Sequence, residues 1–254
     1  MENNTGEDSH SPIRDGIEKK ATDVRYIEAS PPEHLSRLIH SFWELKTEST
    51  LEEDFHLHAV PDACVNILFN ELEPEVAGVT ALRTTFEVLD LGRNFHYVGI
   101  QFLPGVWQGN RAEIFDSYVG EPYKGSLPLI EFNKKLVSLK FQEKQPVMAQ
   151  LVEQLLEQKC VVPNETTRRI LQNLDAIHDV RDMAAIVELS PRQLQRTLKR
   201  TTNFTPHDLL KVLRLQQSFK QHYLDFYSDQ AHYIHSFRKI TGYTPEKYRK
   251  KFDV

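Results

Sequence analysis

Arg192, Gln195, Arg196 and Lys199 fall at i, i+3, i+4 and i+7, so a helix would carry them on one face, with Leu194 and Leu198 on the other. Arginine can donate bidentately to O6 and N7 of guanine, and glutamine to N6 and N7 of adenine. Such a face therefore has the donors needed to read base edges in a major groove. Ser190 is placed to cap this helix and Pro191 to occupy its first position. A tight turn at Glu188-Leu189 joins it to a shorter helix over Val180–Val187, where Met183, Ala184 and Val187 are available for packing. Two short helices joined in this way form a helix-turn-helix.

Other residues invite chemistry less strongly. His56 and His58 share one face of a strand and His96 lies on another, but no glutamate follows His58 at the spacing a cupin metal site requires. Exposed strand histidines are the expectation. Cys64 has no neighbouring base to make it a nucleophile and reads as a small buried hydrophobe. No metal, cofactor or enzymatic activity is expected. Trp43 and Trp107 are expected to fill core, with lining a ligand pocket as the alternative.

The elements that must position these residues follow from periodicity. Phe55, Leu57, Val65, Ile67 and Phe69 alternate with polar neighbours, although Leu68 breaks the pattern. Further strands are expected at Thr84–Leu89 and Phe95–Phe102. After about Pro128 the period becomes helical: Met148, Leu151, Val152, Leu155 and Leu156 make one apolar stripe, expected to pack on its own domain rather than form a dimer. Ser190–Lys211 then aligns with Asp229–Lys250 at a constant offset of 39, matching Leu194 with Tyr233 and Leu198 with Phe237. In the same register Asn203-Phe204-Thr205-Pro206 matches Gly242-Tyr243-Thr244-Pro245, a left-handed helix stop followed by a new helix start. The expected fold is α+β: a small, mostly antiparallel sheet or barrel, then an all-helical part with a duplicated helix-turn-helix. The expected organisation is a disordered tail over 1–23, a domain over 24–163 and a helical domain over 164–254.

Composition sets the outer bounds. The chain has 254 residues, 40% hydrophobic and 26% charged, with 10 Gly and 13 Pro. It is neither collagen-like nor mostly disordered. No run approaches a membrane span, the first 23 residues hold no apolar signal segment, and two cysteines make no disulfide framework, so a cytoplasmic setting is expected. The net charge of −5 hides an asymmetry: residues 164–254 hold 16 Lys/Arg against 10 Asp/Glu, and the remainder 15 against 26. A basic C-terminal third on an acidic body is the footprint of a nucleic-acid-binding module.

The C-terminal third resembles the DNA-binding domain of the AraC/XylS family of bacterial transcription regulators. The resemblance rests on Met183-Ala184, on Leu189-Ser190-Pro191-Arg192-Gln193-Leu194-Gln195-Arg196, and on Asp229-Gln230-Ala231-His232-Tyr233 through Phe237-Arg238, Thr241-Gly242-Tyr243-Thr244-Pro245 and Tyr248-Arg249. It implies two helix-turn-helix motifs bridged by a long helix starting near Pro206, each presenting a recognition helix to double-stranded DNA. By residue match the first would read bases through Arg192, Gln195 and Arg196, and the second through Gln230, His232 and His235. Lys199, Arg200, Arg238 and Lys239 would face phosphates. A fainter likeness to the sensor side of one subgroup lies in Ser41-Phe42-Trp43, Val60–Cys64 and Val98–Gly105. It makes a small-molecule effector, RNA polymerase and a second copy of the chain candidate partners.

Two departures from that pattern carry expectations. Glu188 stands where the first turn usually has glycine, which predicts a strained positive φ costing on the order of 1 kcal/mol. The stretch from Arg214 to Gln230 is shorter than the family norm by roughly a dozen residues, or up to about 18 Å of helix at 1.5 Å per residue. Ser218–Phe226 would have to replace the first helix of the second motif, which makes the first motif the main reader. The alternative is a regulator-like chain that acts through protein contacts, its DNA binding degenerate.

Overall fold

In the computed structural model, residues 12, 14–80, 82–109, 113–115, 120–220, 227 and 229–253 are described. The fold is α+β, with sheet first and helices after. The first half holds β1 (Ile17–Glu18), β2 (Val24–Ala29), β3 (Ile39–Thr47), β4 (His56–Ala59), β5 (Val65–Asn70), β6 (Ala77–Thr80), β7 (Glu87–Asp90), β8 (His96–Phe102) and β9 (Ile114–Phe115), followed by helices α1 (Leu129–Leu136) and α2 (Phe141–Glu157). The helical part comprises α3 (Glu165–Gln172), α4 (Val180–Ile186), α5 (Pro191–Thr202), α6 (Pro206–Lys220), α7 (Gln230–Thr241) and α8 (Pro245–Lys251), and β10 (Phe252–Asp253) follows.

Six strands form an open sheet in the order β2-β3-β8-β5-β6-β9, antiparallel except for the β6–β9 pair. β4 and β7 make a separate antiparallel ribbon. One face of the large sheet packs Phe42, Ile67, Phe69, Ile100 and Phe102 against Met148, Leu151, Val152 and Leu155 of α2. The α2 stripe thus covers its own sheet as expected, and only Leu156 remains exposed. Leu68 breaks the alternation because the opposite face is also covered: it packs with Leu45, Leu57, Phe95 and Tyr97. Trp107 is core, whereas Trp43 is half-buried and donates its indole N–H to Asn66 Oδ1 at 3.1 Å.

Lys144 of α2 is buried with its ammonium 2.7 Å from Glu44 and 2.8 Å from Glu71. Burial pushes the Glu44 carboxyl up, but hydrogen bonds from His96 and Lys144 outweigh it and hold the group at about 2. His96 is therefore committed to this cluster. Among the described residues no three His, Cys, Asp or Glu side chains are grouped to hold a metal.

Three expectations are corrected. Of the expected tail over 1–23, residues 1–11 and 13 lie outside the described residues, but 14–23 are structured. β1 pairs with β10, Ile17 is buried, and the Asp15 carboxylate accepts the Val60 N–H at 2.9 Å. A two-residue strand with charged neighbours is ordered here because its partner comes from the far end of the chain. The strand expected at Thr84–Leu89 begins only at Glu87, because the Phe86 N–H bonds to the Ile240 carbonyl at 2.8 Å instead of to a strand. His58 is not exposed: it is 2% accessible, enclosed by Phe86, Tyr243, Tyr248 and Phe252 with ring centroids 4.8–5.5 Å away. Burial pulls its imidazole down to about 4.

The halves share these contacts widely. Ala63 joins the core of α3–α6, Val60 joins the aromatic cluster of Tyr233, Phe237, Tyr248 and Phe252, and Gln216 of α6 donates to the Pro61 carbonyl at 2.7 Å.

Candidate nucleic-acid interface

The first helical pair is built from local signals. The Asp179 carboxylate caps α4 by accepting N–H groups of Arg181 at 2.6 Å and Asp182 at 3.0 Å, and Asp182 reciprocates to the Asp179 N–H. Met183 and Ala184 are buried, and the helix ends at Glu188, whose φ is +57°. This is the positive φ expected where glycine is absent. The turn is not distorted: the Leu189 N–H returns to the Ala184 carbonyl at 3.0 Å, and Arg169 donates to the Glu188 carboxylate at 2.9 Å. Ser190 and Gln193 then form a reciprocal cap, with Pro191 in the first turn of α5.

Leu194 and Leu198 are fully buried beneath α5, and Asn203 closes it in the left-handed conformation, φ +59°. The opposite face is open. Arg192, Gln195, Arg196, Lys199 and Arg200 are all exposed and line one shallow surface. The Lys199 ammonium donates to the Asn203 carbonyl at 2.8 Å, which anchors it at the helix end. Among the described residues no ion pair engages Arg192 or Arg196, in contrast to Arg168 and Arg169 upstream, which are matched by Glu165 and Glu188. Arg192, Gln195 and Arg196 thus present guanidinium and amide donors to the open side of α5.

The second unit repeats this design at the offset of 39. The Asp229 carboxylate caps α7 through the His232 N–H at 2.8 Å. Tyr233 and Phe237 are buried where Leu194 and Leu198 are, and Gly242 ends the helix with φ +78°. Gln230, His232, His235, Arg238 and Lys239 lie on the exposed side, with the His232 ring edge-on to Tyr227 at 5.6 Å.

What precedes α7 differs from what precedes α5. Ser218–Lys220, expected to begin a replacement helix, are the last turn of α6, and 221–226, Tyr223 included, lie outside the described residues. Part of the support for α7 comes from the sheet half: a Cβ on Gly242 would lie 2.9 Å from the Phe86 ring, and Val60 packs in the same cluster as Tyr233 and Ile240. Nothing in the sequence pointed to Phe86. Its role depends on a contact between residues far apart in the chain.

A family model described as a domain of unknown function, DUF6597, matches residues 27–110. That span contains Ser41–Trp43, Val60–Cys64 and Val98–Gly105. No curated protein matches. A solved structure, that of ToxT from Vibrio cholerae at 1.65 Å resolution, aligns over 89% of this chain and 96% of its own, with 6% identity and a TM-score of 0.41.

Proposed function

We propose that this chain is a sequence-specific DNA-binding transcription regulator of the AraC/XylS type and not an enzyme, with a sensor or dimerisation domain over 24–163 and a DNA-binding domain over 164–254. One observation carries the reading. A capped two-helix unit seats α5 on its leucines and leaves Arg192, Gln195 and Arg196 side by side on an open face, with neither arginine held by a carboxylate. In this reading those three residues contact base edges in the major groove. Lys199, Arg200, Arg238 and Lys239 contact phosphates and set register. Gln230, His232 and His235 form a weaker second reader because they include no arginine. A small-molecule effector, RNA polymerase and a second copy of the chain are the further partners of such a regulator.

The test is selection of bound sites from a random pool of duplex DNA by the full chain. Recovery of one motif, bound with an affinity that falls steeply with salt, supports the proposal. The short stretch between α6 and α7 favours one competing reading, a regulator-like protein that acts through protein contacts. A pool that stays unenriched would replace the proposal with that reading.

A further inference from the structure

The sheet face turned away from α2 walls a cavity of about 90 Å³, closed on one side by the segment leading into β1. Trp43 forms part of the wall. It lies flat over Gly99, where a Cβ would stand 2.3 Å from the indole ring, so the absence of a side chain at 99 is what lets the ring lie there. Asn66 and Gln101 from the neighbouring strands, Tyr26 from β2 and Leu68 and Leu89 complete a mixed polar and apolar lining.

Two carboxylates face this space; among the described residues neither is in an ion pair, although the Arg83 charge acts on both and lowers them slightly. Asp15 accepts one hydrogen bond among the described residues, from the Val60 N–H to one of its oxygens. Asp62 accepts one hydrogen bond on each oxygen, from the Cys64 N–H at 2.8 Å and the Gln101 amide at 2.6 Å. Burial, with the Asp62 charge adding to it, pushes Asp15 up to about 7, and burial pushes Asp62 up to about 6. Two guanidinium groups also border the cavity, but each is bonded to a carboxylate elsewhere: Arg14 to Asp253 and Arg83 to Glu87. Four carboxylates, Asp15, Asp62, Glu87 and Asp253, thus share two guanidinium groups, which leaves the cavity short of positive charge.

We infer that this cavity binds a small organic cation with N–H donors, of the guanidinium or primary-ammonium class, held by the Asp15 and Asp62 carboxylates against the Trp43 ring. The donors of such a cation match the free lone pairs of the two carboxylates, and its charge supplies what the described residues lack. A cation over an indole face gains further attraction. Size sets the limit: a cavity of about 150 Å³ accommodates benzene, so one of about 90 Å³ takes roughly four heavy atoms. The inference goes beyond the DNA-binding reading and does not depend on it.

The experiment is calorimetric titration of the full chain, without DNA, with millimolar guanidinium and with its neutral isostere urea at pH 8, where both carboxylates are ionised. Guanidinium is expected to bind saturably and at least tenfold more tightly than urea, and to weaken at least tenfold at pH 5. Asp15→Asn and Asp62→Asn are each expected to lose at least tenfold in affinity while unfolding cooperatively. The comparison of ligands and pH values on the unaltered chain stands even if a variant does not fold. Equal binding of the two isosteres, no saturable binding of the cation, or undiminished binding by both folded variants would overturn the inference.

Discussion

Lowering the pH should remove the stabilisation that a neutral His58 gives the junction between the sheet half and the helical half. The imidazole lies in a nest of four aromatic rings, with Nδ1 3.3 Å from the Tyr248 hydroxyl and the Thr241 backbone carbonyl also within reach. The folded protein holds it at about 4, against an ordinary value of 6.5. Below pH 6.5 the unfolded chain takes up a proton that the folded chain refuses, so stability is present above 6.5 and is lost as pH falls toward 4. At about 1.4 kcal/mol per pH unit, the loss reaches roughly 3 kcal/mol. Asp15 and Asp62 act in the opposite sense over the same range: their folded values are raised, so they favour the folded state increasingly as pH falls from 7 toward 3.8. The raw pH profile therefore mixes both effects, and a variant is needed to separate them. His58→Phe keeps a ring in the nest and gives up the imidazole contacts with Tyr248 and the Thr241 backbone. Urea unfolding of both proteins between pH 7 and pH 4 gives the difference curve. The stability of the parent relative to His58→Phe should fall by roughly 3 kcal/mol across that interval. A difference that stays constant to within about 0.5 kcal/mol would refute the argument that burial keeps His58 neutral.

Four further outcomes are expected. Arg196→Ala should cost roughly 1–3 kcal/mol on the selected DNA site and relax preference at one base pair. Arg192→Ala with Arg196→Ala should nearly abolish specific binding, whereas Gln230→Ala with His235→Ala should cost less than about 1 kcal/mol in the same mobility-shift assay, and equal losses would disprove the ranking. Lys199→Ala and Arg238→Ala should each weaken binding to all sequences alike and reduce the salt slope by about one, read from affinities at several salt concentrations. Glu188→Gly should relieve the φ of +57° and raise thermal stability by about 1 kcal/mol, less a few tenths for the lost surface pair with Arg169.

The sequence was most legible where structure is decided locally. Ser190 with Pro191 starts α5, and Asn203 and Gly242 stop their helices in the left-handed conformation. The duplicated spacing puts Tyr233 and Phe237 under α7 as it puts Leu194 and Leu198 under α5. The candidate base-reading face followed from the same periodicity, because a helix seated on its leucines has only one side left to expose. Legibility ended where a residue's environment comes from a distant part of the chain. His58 alternates along its strand like an exposed residue, yet Phe86 and the C-terminal Tyr243, Tyr248 and Phe252 cover it. Asp15 reads as part of a polar tail, yet the hydrogen bond to Val60 and the pairing of β1 fold it over the cavity. No local pattern encodes such contacts, because each half of the pair looks ordinary alone.

The pairing of β1 with β10 also orders events during synthesis. Ile17 meets Asp253, and Gly16 exchanges two backbone hydrogen bonds with His58 only once β1 has been placed. Residues of the first strand therefore wait while about 230 more are made, roughly 12–50 s at 5–20 residues per second. Through that interval the edge of β4 has no β1 to cover it, and an uncovered strand edge is a template for association with other chains. The nascent sheet half is thus most exposed to aggregation, and most in need of chaperone cover, until Phe252 has left the ribosome and closed over His58.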